Sequence, residues 1–144
     1  HWRELENQQV LVVFSGPHSY ISPTFYHHSP AVPTWNYASV HCYGKVTLLN
    51  DSETAEMMDK LIQQYEPELL KNKNIMPDDY VEKLSKAIVG FKIEISKIQA
   101  KEKLGQHRKT EDQEAVFLAL KNSNHNEAKD LANYMERRNI GIGR

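Results

Sequence analysis

Residues 34–49 read TWNYASVHCYGKVTLL, and the alternation of residue types in this stretch decides the fold class. Successive side chains on a β-strand point to opposite faces. The even positions give Ala38, Val40, Cys42, Gly44, Val46 and Leu48, a small and apolar face suited to a core. The odd positions give Trp35, Tyr37, Ser39, His41, Tyr43, Lys45 and Thr47, an aromatic face that can also hydrogen-bond. Such a face suits either the wall of a site for a flat ring or an interface between subunits. The alternation also separates His41 from Cys42. Cys42 falls on the core side, where a buried structural thiol is expected rather than a nucleophile.

Upstream, QVLVVFS is apolar at Val10 to Phe14, as in a strand covered on both faces. Gly16 and Pro17 are expected to break it, with a second short strand, HSYIS, ending at Pro23 and a proline-bearing loop after it. Downstream, Asn50-Asp51-Ser52 supplies helix caps, and Met57, Met58, Leu61, Ile62 and Tyr65 recur at helical spacing. A second helix opens at Pro77 and directs Tyr80, Leu84 and Ile88 or Ala87 inward. VGFKIEISKI then alternates as a half-buried strand, with Val89, Phe91, Ile93 and Ile95 on one face. Helices are predicted from about Thr110, where Thr110 and Gln113 have capping-box spacing, and again over NEAKDLANYMERRN, where Asn124 and Glu127 repeat the device. The last helix carries Leu131, Tyr134 and Met135 as its apolar stripe and stops at Gly141 and Gly143. Strands first, then helix, helix, strand and two helices make an α+β domain with a mostly antiparallel sheet.

The chain has 144 residues, most simply one domain over 1–144 with a helical hairpin at about 110–139. Eighteen basic and 19 acidic residues give a net charge of −1, so nothing in the composition draws the chain to a polyanion. A single cysteine forms no internal disulfide and fits a reducing interior. No run approaches the ~20 apolar residues of a membrane helix, and a cytoplasmic protein is expected. The chain opens without Met, almost directly in a strand, and reads as if it begins within a fold.

Specific chemistry is sparse. The seven histidines show no second-ligand spacing, so solvated or hydrogen-bonded imidazoles are expected rather than a metal centre. No glycine-rich dinucleotide fingerprint or P-loop is present. Residues 97–109 hold Lys97, Lys101, Lys103, Arg108 and Lys109 against Glu102, and read as a basic loop ending at a helix start. The last two helices are spaced like a DNA-binding helix-turn-helix. However, Glu127, Asp130 and Glu136 on the second are ill-suited to phosphates, which favours a packed αα-hairpin.

GPHSYISPTFY, VPTWNYASVHCYG and KLGQHRKTEDQ resemble, in order, the signature blocks of the PaiB family. Those are bacterial proteins described as FMN-binding negative transcriptional regulators of protease synthesis and sporulation. The resemblance runs over essentially the whole chain and implies that it corresponds to roughly the last two thirds of a family protein. It also implies an antiparallel split β-barrel like that of the pyridoxamine-phosphate oxidases, with peripheral and C-terminal helices. A homodimer with FMN at the subunit interface follows from the same likeness. Trp35, Asn36, Tyr37 and Ser39 would then meet the flavin, and Lys103, Gln106 and Arg108 would supply polar contacts. His107 departs from the block that contacts flavin in relatives. The Trp and Arg that hold substrate phosphate in the vitamin oxidase have no match, so that activity is not implied. The implied function is a flavin-binding regulator. The alternative is a flavin-dependent oxidoreductase on a small substrate, with no catalytic residue identified, and direct DNA binding ranks third.

Overall fold

The computed structural model describes residues 2–144. Three strands, β1 (Gln9–Ile21), β2 (Thr34–Leu48) and β3 (Phe91–Lys103), form an antiparallel sheet in the order β1-β2-β3. Four helices accompany them: α1 (Asp51–Tyr65), α2 (Asp78–Ser85), α3 (Thr110–Lys121) and α4 (Asn126–Arg138). The α+β class is therefore as predicted, and the sheet is open rather than closed into a barrel. The backbone divides into two compact units. One comprises the described residues up to Leu11 with Tyr43–Lys97, the other Val12–Cys42 with Ile98–Arg144.

In the first unit, α1 opens on a complete capping box. Asn50 Oδ1 accepts from the Glu53 N–H at 2.9 Å, and Glu53 Oε2 accepts from the Asn50 N–H at 3.0 Å. Thr54 is the buried residue of α1 and lies against Gly90, where a Cβ would collide with its side chain. Asn7, at φ 64°, donates to the Val46 carbonyl while the Val46 N–H donates to Gln8. Two residues thus oppose one, a bulge that sets the entry into β1. Of the stripe spaced along α1, Met58 and Ile62 are half-buried, and the α2 residues predicted to turn inward stay outside. Met57, Leu61 and Tyr65 are exposed on α1, as are Tyr80, Leu84 and Ile88 in and after α2. An apolar stripe is buried only where another element covers it, and period alone does not supply the cover.

The second unit holds the main core. Ile21, Leu104, Val116, Phe117, Leu120, Ala128, Leu131, Ala132, Met135 and Ile142 pack together, with Phe25, Tyr26, Tyr134 and Ile140 at its margin. The α3/α4 pair builds most of it, and each large side chain fully buried there contributes about 1.5–3 kcal/mol. The two helix starts differ from expectation. Lys109 and His125 occupy the N-cap positions without side-chain caps. Gln113 instead donates to the Arg108 carbonyl at 2.7 Å, so its amide tightens the preceding turn. At its far end α4 stops at Asn139, which adopts the left-handed conformation before Gly141 is reached.

Predictions for two strands, β1 and β3, are corrected. Gly16 and Pro17 do not break β1, which runs through them. β1 is an outer strand, where a proline need not cost a ladder bond, and the backbone at Gly16 closes on Ala38, 3.1 Å from carbonyl oxygen to an ideal Cβ. Nor is β1 covered on both faces, since Leu11, Val13 and Phe14 are exposed. β3 is longer than predicted. It absorbs Lys97, Lys101 and Lys103, which were assigned to a basic loop, and it is mostly exposed, Phe91 and Ile95 included.

Candidate functional site

Within the second unit, the alternation of β2 sends Tyr37, Ser39 and His41 to one face. β3 sets Gln99 and Lys101 beside them, and the five side chains line an open cleft of about 420 Å³. A strand holds its side chains at fixed spacing on a flat surface, so phenol, hydroxyl, imidazole, carboxamide and ammonium present their polar groups over one patch. Cys42 is buried on the other side, as predicted from the alternation.

The remaining predicted ligand residues do not join this patch. Trp35 packs its ring against His18 at 5.5 Å and Tyr20 at 6.4 Å, and the three line a second cleft. Asn36 is almost wholly buried, on the even face, with its amide nitrogen near Gly105. Lys103 donates to the Thr34 hydroxyl. Gln106 is used at both ends of its amide, accepting from the Leu104 N–H at 2.7 Å and donating to the Glu102 carbonyl at 2.8 Å. It is a brace of the turn that follows β3. Arg108 lies over the Tyr26 ring, 4.7 Å from its centroid, and its Nε is buried with no hydrogen-bond partner among the described residues. An orphaned donor of this kind costs free energy unless a ligand or water completes it.

Two polar clusters were not anticipated from the sequence. Sharing Ser39, Ala100 and Lys101 with the Tyr37 patch, a cleft of about 470 Å³ is also lined by Gly16, Ala38, Glu102, Tyr134 and Arg138. Arg138 donates to Glu102 from Nε at 2.8 Å and from a terminal nitrogen at 3.2 Å, and the Tyr134 hydroxyl donates to the same carboxylate at 2.5 Å. The hydrogen bond from Arg138, then that from Tyr134, holds the Glu102 carboxyl below the usual range. The Glu102 carboxylate in turn pushes the Tyr134 phenol up. The second cluster is at the start of α3. Asp112 is buried, and its Oδ1 accepts from the His27 N–H at 2.8 Å, the His28 N–H at 3.1 Å and His28 Nδ1 at 3.1 Å. Its only sequence signal is an acid in the first turn of a helix; its partners lie 84 and 85 residues away.

Among the described residues no group of three or more His, Cys, Asp and Glu side chains is arranged to hold a metal. No helix among them is long and apolar enough to cross a membrane.

Comparison with known proteins gives this geometry a context. A family model described as "Putative FMN-binding domain" matches residues 1–97. The chain is 41% identical over 140 residues to protease synthase and sporulation protein PAI 2 of Bacillus subtilis, covering 94% of this chain and 66% of that protein. An uncharacterised protein of Emericella nidulans is 35% identical over 150 residues, covering 92% of this chain and 60% of its own length. Another, from Aspergillus fumigatus, is 33% identical over 132 residues, covering 76% and 51%. The chain thus spans between about half and just under two thirds of the relatives it matches. By the family match and the PAI 2 relationship, this chain belongs to the PaiB-type family of FMN-binding domains.

Proposed function

We propose that this chain is the flavin-binding part of a PaiB-type regulator, and that Tyr37, Ser39, His41, Gln99 and Lys101 take FMN on the odd face of the sheet. The observation that carries the reading is the convergence of these five groups on one cleft in a chain of an FMN-binding domain family. The fit is chemical. A flat strand face suits an isoalloxazine ring, Ser39 and Gln99 suit its polar edge, and Lys101 suits the phosphate. Arg108, with its buried unpartnered Nε, is a further candidate for an anionic group. When bound, FMN supplies electron-transfer chemistry; the residues named bind and orient it.

The finer architecture belongs to the same proposal. Val13 and Phe14 are exposed on the outer strand β1, which supports a homodimer that completes a split barrel around the site. The name of PAI 2, with its reference to protease synthesis and sporulation, supports a regulatory role over an oxidoreductase. The test is FMN titration into this chain and, in parallel, into the full-length Bacillus relative, read by quenching of flavin fluorescence. Saturable binding is expected, weakened about tenfold by Lys101→Gln, the scale of one lost charge-assisted hydrogen bond. No saturable binding to either protein overturns the cofactor assignment.

A further inference from the structure

The Trp35 cleft has a chemistry unlike that of the flavin face. Tyr20, Phe25 and Trp35 supply its rings, and Glu127, in the first turn of α4, stands with them. The cleft encloses about 410 Å³, and no lysine or arginine lines it. Trp35 and Tyr20 meet with planes at 77°, so their rings form two walls of a corner rather than a stack. Both are about half exposed, at 51% and 47%. Rings of this size are ordinarily covered, and two held open together at a corner form a surface ready for a ligand.

An aromatic face carries negative electrostatic potential, strongest for indole, and attracts a cation whose hydration is weak. Walls of Trp and Tyr beside a carboxylate therefore select for positive charge spread over methyl groups. We propose that this cleft binds a quaternary or methylated ammonium group, with Trp35 and Tyr20 as its cation–π walls and Glu127 as its counter-charge. His18 and His125 also line the cleft. The proposal stands on residues separate from the Tyr37–Lys101 patch and does not depend on FMN binding there.

The probe is choline, titrated at pH 8 into the full chain and read from the Trp35 indole N–H resonance, assigned with a Trp2→Phe variant. A saturable shift is expected that sodium chloride at the same concentration does not produce. The neutral isostere 3,3-dimethylbutan-1-ol, of the same shape without the charge, is expected to bind at least about fivefold more weakly. Glu127→Gln, an exposed substitution that leaves the core alone, is expected to weaken choline two- to fivefold. Trp35→Leu, followed by saturation transfer to the choline methyl line, is expected to abolish binding. Equal binding of choline and its isostere, no saturable choline response, or retention of choline by Trp35→Leu overturns the proposal. Displacement of choline by FMN overturns it too, because the cleft would then belong to the flavin ring.

Discussion

Asp112 ties the segment at His27 and His28 to the first turn of α3 through a single carboxylate oxygen. Burial pushes its carboxyl up, but the hydrogen bonds from the His28 side chain and from the His28 and His27 backbones together outweigh that and leave it below its ordinary value. A carboxyl depressed in the folded state makes the unfolded chain the better proton binder. Its contribution is complete above the unfolded value of about 3.9 and is lost as pH falls through the folded value. Asp112→Asn is therefore expected to lower stability at pH 7 and to narrow the difference between pH 7 and pH 3, measured by denaturant midpoints at each pH. Tyr134 gives the complementary test. Glu102 raises its phenol, so Glu102→Gln should let Tyr134 ionise at lower pH, seen as an earlier rise of tyrosinate absorbance in alkaline titration. Neither cluster was readable in the sequence. Each joins residues far apart in the chain, and a hydrogen bond between distant segments leaves no local period.

At the scale of elements, α4 and α1 show what an apolar stripe means when it is covered and when it is not. Leu131 and Met135 are fully buried in α4, whereas Met57 is half exposed on α1. Met135→Ala is expected to cost about 2–5 kcal/mol and Met57→Ala within about 0.5 kcal/mol, both measured by chemical denaturation. Gly141 gives a sharper test of backbone packing. It has φ 73°, and a Cβ there would run into the Leu104 carbonyl, so Gly141→Ala should destabilise the second unit by more than the ~1 kcal/mol ordinarily assigned to glycine freedom. Helix existence was legible from periodicity and from the capping residues Asn50-Asp51-Ser52. The caps at Thr110 and Asn124 were misread because hydroxyl, amide and acid spacing permits a capping box without requiring one. At α3 the glutamine found backbone carbonyls instead.

For the molecule as a whole, the alternation in β2 gave the most. It separated a core face from a polar face, assigned Cys42 to the core, and identified Tyr37 and Ser39 as neighbours on one surface. It could not show that Trp35, of the same parity, packs with His18 and Tyr20, because side-chain direction at a strand end depends on neighbours that the pattern does not name. Nor could it show that Gln106 is spent on its own turn. β3 has one further consequence. A thirteen-residue strand at the sheet's margin leaves one row of N–H and C=O groups free to template another extended chain, and Phe91, Ile95 and Ile98 on it are exposed. The charges interleaved with them, Lys92, Glu94, Lys97 and Lys101, act as gatekeepers against that growth. Replacing Lys97 with Val should leave the fold intact yet bring on concentration-dependent light scattering at neutral pH. The same lysines that enrich this margin in charge keep the protein from polymerising through it.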